Sequence, residues 1–469
     1  MKWFSRHPIV KWGVPATLLF VILLLVLRLQ PDALVRYKNQ LAASGEELSL
    51  VKLAPPQTQE AIEFYKQFSA IAEGIAAAPI HGGELRLMGK PTNGFSTPLW
   101  TKPEPIIPGK GSWADLAAQM KQSEAAFTQM RQLLDRPPIG SIYNPTNPAG
   151  TPPGGNILIQ KRRAAQGLSA AVVNELHQGN LPSALINLHT LLALTRLRDE
   201  GGLLVDFMIH VSIGGLALSV TWEALQAPGW SEPRLIALQT GVESLAFAPL
   251  IPRVIQLERN STLAFFAISQ TNYSARMSLF GFPPTIASFT ERAYDVIYFP
   301  LLSKADALRY LQNVQPLLED TRRAAAKTNY IAMRSAFTNA SIRAQAFQST
   351  LNQLRFPLAS MSTPNWGKAF LHTLKYETRR QMAITAIALK RHQLRHGKLP
   401  DNLATLIPDY LPALPTDFLG NHSLIYERLS DTQFTLRSLG DNGLDDYGET
   451  DDLLWPAARP DSPATSPLP

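Results

Sequence analysis

An uncharged run of sixteen residues, Trp12 to Leu27, lies near the N-terminus and limits what the rest of the chain can be. Extended to Leu29, with Arg28 snorkelling, it approaches the ~20 residues needed to cross hydrocarbon. Lys2, Arg6 and Lys11 precede it, and Trp3 and Trp12 stand where interfacial aromatics belong. It is apolar on every face, unlike an amphipathic core helix. A cleaved signal peptide needs small residues just after the apolar run, and here the chain reads Arg28-Leu-Gln-Pro-Asp32. The expectation is therefore a retained single-pass anchor, residues 1–30. Lys and Arg are balanced around it, but no acid precedes Asp32. That places the N-terminus in the cytoplasm and the body outside.

The 469 residues suffice for two or three domains, and 45% hydrophobic with 17% charged residues makes the body globular. There is no cysteine, which excludes disulfides, thiolate metal sites and cysteine nucleophiles. A net charge of +7 would suit nucleic acid or an anionic membrane. However, the basic stretch Lys375–Lys398 lacks interleaved aromatics for base stacking, so no nucleic-acid partner is expected.

Past the anchor the patterning is helical. Ile62, Phe64, Tyr65, Phe68, Ile71 and Ile75 predict a helix within Gln57–Ala78, and Trp113–Leu134 predicts another. Pro/Gly-rich passages follow each, and residues 31–155 form the first helical segment. Residues 156–372 are expected as a helical bundle, with at least three helices in Ile157–Leu225. Others are expected at Ile251–Ser269, Ser303–Lys327 and Asn329–Leu354. Ala164–His177, the turn Gln178-Gly-Asn180 and Pro182–Leu197 resemble one tetratricopeptide-type hairpin, but no second copy recurs at a fixed period.

No metalloprotease, nucleophile-elbow, Walker or dinucleotide-binding motif occurs. His392 and His396 stand four apart among Arg391, Arg395 and Lys398, and are read as exposed basic residues. Asp199-Glu200 and Glu319-Asp320 are read as helix-end or surface acids.

Residues 373–469 differ. A helix over Tyr376–Arg395 should stop at His396-Gly397, with glycine in a left-handed cap. Pro400-Asp-Asn-Leu403 then restarts a short helix to Ile407, and Pro408, Pro412 and Pro415 draw the chain out. Two strands are expected, Ser423–Arg428 and Gln433–Ser438. Six acids follow within twelve positions, 441–452, among Gly440, Gly443 and Gly448. Asp441, Asp445, Asp446, Asp451 and Asp452 supply the oxygens that calcium needs, in a loop able to curl. The competing reading is an acidic turn facing Arg437 and the basic helix; composition alone divides the two evenly.

The sequence His396-Gly-Lys-Leu-Pro400, Pro415-Thr-Asp417, Tyr426, Phe434, Ser438-Leu-Gly440 and the closing acids resembles the head of type II secretion major pseudopilins. That resemblance implies a long helix, a proline turn and a small antiparallel sheet whose last loop holds calcium. Its loop motif falls on Ser438-Leu-Gly-Asp-Asn-Gly443 and Asp451-Asp452, implying Asn442, Asp451, Asp452 and carbonyls near Leu439 as ligands. The preceding helix is amphipathic and basic, so the head is expected as a graft on another scaffold. The whole layout, including Ala43-Ser-Gly-Glu-Glu-Leu48 and Leu53-Ala-Pro-Pro56, is similar to a family of large bacterial membrane-anchored proteins.

The expected architecture is thus mainly α: a transmembrane helix, a helical body and a small C-terminal α+β head. The expected role is non-enzymatic binding or scaffolding at the bacterial inner membrane, body in the periplasm, with a protein partner in the envelope. The alternatives are an envelope hydrolase working near Phe280–Leu302 and a tetratricopeptide-like adaptor.

Overall fold

The computed structural model describes residues 33–75, 112–147, 157–199, 202–270, 298, 302–345, 350–362, 366–420, 422–440, 442–444 and 453–455. The predicted anchor, the stretch 76–111 and nearly all of Phe280–Leu302 lie outside them. The described residues are mainly helical, with one small antiparallel sheet near the C-terminus. They divide into two compact units, each assembled from separated stretches of chain.

The larger unit comprises residues 54–257, 318–338 and 367–469. It opens with α1 (Gln59–Gly74) and α2 (Trp113–Leu134). Thr58 caps α1 through its hydroxyl, and Ser112 with Asp115 forms a reciprocal capping box on α2. The core is α3 (Ile157–His177), α4 (Leu181–Arg196) and α5 (Leu204–Leu225), packed on one another, with α1 and α2 against α3. Asn180 caps α4, and Pro182 occupies its first turn, where a missing N–H leaves no bond unmade. Small residues on α3 allow close approach: a Cβ on Gly167 would lie 2.4 Å from Ile75.

α5 is long and apolar enough to cross a membrane by composition, as is the run Glu232–Ser269. In the fold α5 is a core helix, with Leu204, Phe207, Val211, Ile213, Leu218 and Leu225 buried. Each such side chain contributes roughly 1.5–3 kcal/mol. The sequence reading did not anticipate α6 (Glu232–Glu243), which packs on α4.

The expected head belongs to this same unit. Its helix, α7 (Trp366–His396), begins ten residues earlier than expected and ends on Gly397 at φ +76°. A short 3-10 turn (Leu403–Leu406) leads to β1 (Ile425–Arg428) and β2 (Phe434–Ser438). A third strand, β3 (Leu453–Trp455), was not predicted. The sheet order is β1-β2-β3, antiparallel throughout, with Ile425 opposite Arg437 and Ser438 opposite Leu453. Phe434 and Leu436 are buried, as alternation required.

The smaller unit comprises residues 1–53, 258–317 and 339–366. Its centre is Arg259, fully buried. Its guanidinium donates to Glu46 at 2.9 Å, to the Glu47 carbonyl at 2.8 Å and to Gln315. Asn260 adds a second bond to the Glu47 carbonyl, so the Gly-Glu-Glu segment is fastened from two side chains. Asp306 accepts from the Tyr298 hydroxyl and from Ala359 N–H. The helix expected over Asn329–Leu354 is described as Tyr330–Gln345 and Thr350–Arg355.

Candidate functional site

Among the described residues, a cluster of buried charge lies in the three-helix core. Lys161 on α3 is 1% exposed. Its ammonium donates to Asp206 Oδ1 at 3.0 Å and to His210 Nε2 at 2.9 Å. Asp206 and His210 lie one turn apart on α5, so both face α3. His210 Nδ1 lies 3.0 Å from the Thr195 carbonyl at the end of α4. A carbonyl only accepts, so Nδ1 carries the proton and Nε2 receives the lysine bond. The cluster thereby ties all three core helices together. The Tyr65 ring on α1 lies 5.4 Å from the same ammonium.

Burial, and next the Lys161 charge, push the His210 imidazole well below its ordinary pKa of 6.5. It stays neutral in the fold while the unfolded chain takes up a proton near pH 6.5. The folded value is the depressed one, so this stability is present above pH 6.5 and lost as pH falls. The limiting slope is about 1.4 kcal/mol per pH unit. Urea unfolding between pH 7.5 and 5.5 is expected to show this slope in the wild type and about one proton less in His210→Gln. Parallel pH profiles would remove His210 from the account.

Next to the cluster, Asp199 is 7% exposed. It accepts from Ser141 Oγ at 2.6 Å and from Ile142 N–H at 2.8 Å. The reading of Asp199 as a helix-end or surface acid is corrected here. It does follow α4, but it turns inward to hold the loop after α2. That loop is fastened to the start of α1 by bonds between Ser141 and both Pro56 and Thr58. Burial, with Asp199 and Asp206 as negative neighbours, also pushes the Tyr65 and Tyr143 hydroxyls upward.

Asp199 and Asp206 form part of the wall of a cavity of about 380 Å³. Arg196, Arg198 and Arg253 supply its cations. Phe207, Leu250, Val254 and Leu257 supply its apolar side. Gly202 completes the wall, and a Cβ there would lie 2.4 Å from Asp206 Oδ2, so only glycine lets this carboxylate stand where it does. Arg198 also lies 5.5 Å over the Phe247 ring. The size falls within the range of small-molecule sites.

Sequence reading did not single out Lys161, Asp206 or His210. One signal was present: an acid and a histidine four apart inside α5, the most apolar of the described helices.

The predicted calcium ligands meet the structure at one point. Asp441, Asp445, Asp446, Asp451 and Asp452 lie outside the described residues. Asn442 is described, and its Oδ1 accepts from Leu444 N–H at 2.7 Å, closing a tight turn around Gly443, which like Gly440 has a positive φ. Among the described residues, no group of three or more His, Asp or Glu is placed to hold a metal ion. The segment's ends are well held. Ser438 pairs with Leu453, and its hydroxyl donates to buried Asp417 at 2.7 Å. Asp417 also accepts from Thr378 of α7 at 3.1 Å and from Leu419 N–H at 2.9 Å.

His392 is 7% exposed, in contrast to its reading as a surface residue. Its Nδ1 donates to the Lys398 carbonyl at 3.0 Å, its ring packs on His396, and His396 meets the Tyr410 hydroxyl at 3.2 Å. The histidine pair staples the end of α7 to the proline turn. Comparison with known proteins finds no matching protein family, characterised protein or solved structure.

Proposed function

We propose that this chain is a membrane-anchored protein of the bacterial envelope that works by binding, with a calcium-stabilised head at its C-terminus. The observation carrying the binding reading is how the two acids of the cavity wall, and the His210 imidazole behind them, are used. Asp199 is held by Ser141 and Ile142, and Asp206 by Lys161. His210 is held between Lys161 and Thr195. These bonds rigidify a wall, whereas general acid–base work needs a group free to meet substrate. Three arginines and four apolar side chains lining one cavity suit holding a ligand. Filling the cavity with Val254→Trp tests this. Native mass spectrometry of the full chain from its own membranes is expected to show a retained small molecule in the wild type. The variant should lose it while its circular-dichroism spectrum stays that of the folded wild type. Identical spectra would overturn the reading.

The order of elements in the head supports the pseudopilin-like reading: long helix, proline turn, antiparallel sheet. Its acidic segment joins two paired strands, so the ends of the loop are fixed before any cation arrives. Five aspartates and Asn442 then share a short closed segment, where a cation relieves their repulsion. Free calcium at about 100 times its dissociation constant is expected to stabilise the protein by about 2.7 kcal/mol. Magnesium should substitute poorly, because it demands tighter octahedral geometry. Asp451→Asn with Asp452→Asn should abolish the effect. Equal melting in calcium and in chelator would leave an acidic turn paired with basic neighbours.

A further inference from the structure

We propose that His210 is a proton sensor: one proton on its Nε2 breaks the bond between α3 and α5 and loosens the cavity wall that Asp206 helps to form. The device needs no ligand in the cavity. The imidazole has one position left for a proton, and an ammonium faces it. Nδ1 is committed to the Thr195 carbonyl at 3.0 Å, and Nε2 accepts from Lys161 at 2.9 Å. A proton on Nε2 turns that acceptor into a donor and sets N–H against N–H.

The new donor has another acceptor on its own helix. Asp206 Oδ1 lies 3.8 Å from His210 Nε2, and Lys161 holds the same oxygen at 3.0 Å. Two cations then share one carboxylate, with the lysine side chain 1% exposed and the imidazole fully buried. Lys161 is left short of acceptors and must find water, which parts α3 from α5. Asp206 carries the change to the cavity. It lines that wall with Gly202, where a Cβ would lie 2.4 Å from its Oδ2, so a carboxylate drawn towards His210 shifts the wall. The other neighbours do not undo this. Tyr65 on α1 and Tyr143 after α2 stay neutral, their hydroxyls pushed upward by burial. After α4, Asp199 is held by Ser141 and Ile142, and Arg198 opposes a charge on His210 as Lys161 does. Glu200 lies outside the described residues.

The test uses the full chain, which has no cysteine, so Val254→Cys places a single thiol in the cavity wall. Thiol labelling is referred at each pH to the urea-unfolded chain, which cancels the reagent's own pH dependence. A proton taken up at the ordinary pKa of 6.5 in the open form alone shifts opening about tenfold between pH 7.5 and 5.5. Labelling is expected to rise by that factor. Amide-exchange protection should fall to the same extent in α3 and α5 and stay unchanged in α7 and the sheet. His210→Gln keeps an acceptor for Lys161 and a donor for Thr195 but takes no proton, so both responses should vanish. Lys161→Gln should reverse the sign: His210 and Asp206 then pair unopposed, and acid should raise protection. No acid response in the wild type, or a loss spread evenly over the chain, would overturn the inference. An unchanged response in His210→Gln would remove His210 as the sensor. Acid loosening Lys161→Gln as it does the wild type would show that the lysine is not what the proton displaces, and the inference would fail.

Discussion

Replacing Lys161 by methionine is expected to remove about 3–5 kcal/mol of stability, read as a lowered urea midpoint at pH 7.5. Methionine nearly matches the volume, so packing changes little. What changes is that Asp206, with a side chain 4% exposed, loses the cation that bonds it at 3.0 Å. His210 Nε2 loses its donor as well. An uncompensated buried carboxylate costs far more than the pair contributed. The companion variant makes the cause visible. Lys161→Met with Asp206→Leu removes both charges and should recover all but about 1–3 kcal/mol, the cost of the orphaned imidazole acceptor. A cost below about 1 kcal/mol for Lys161→Met would mean that the lysine reaches water, and the cluster as drawn would be wrong.

The second large effect lies at Glu377 on α7, which is fully buried. One carboxylate oxygen accepts from the backbone N–H groups of Phe247 and Ala248, where the chain turns after α6. The other accepts from Arg380 at 2.7 Å, and Arg380 reaches on to the Glu243 carbonyl. Glu377→Ala strands two backbone donors and a buried guanidinium, at an expected cost of about 3–5 kcal/mol in denaturant titration. Glu377→Gln keeps an acceptor for the backbone and should lose less than half as much. If Ala and Gln cost the same, the backbone bonds contribute nothing and the ion pair accounts for the whole effect.

The helices were legible where a cap accompanies the period. Ser112 with Asp115, Asn180 with Pro182, and Gly397 each mark an end that the structure reproduces within a residue or two. α6 was missed although Ser231-Glu232-Pro233 is a start signal, because its twelve residues carry almost no amphipathic contrast. β3 was missed because three residues are too short for alternation to register. The cavity could not be read from spacing at all. Its wall joins residues 196–207 to 250–257, and its charges are answered from Ser141 and Lys161. Only folding brings those distant positions together. Buried Asp199 illustrates the general difficulty: an acid after a helix end is usually solvated, and the loop that captures it lies 58 residues earlier.

Both compact units are discontinuous in sequence, and this governs how the protein is made. Residues 54–257 emerge from the ribosome long before 367–469, the stretch that supplies Glu377 and Asp417 to the same unit. Until then the turn at Phe247–Ala248 has no carboxylate to cap it. The smaller unit waits likewise for residues 339–366 to join 1–53. A growing chain therefore cannot finish its first unit and then begin its second. The helices α3, α4 and α5 can pack on one another early, but the larger unit is finished only when 367–469 arrives, so C-terminal truncation is expected to destabilise the whole unit.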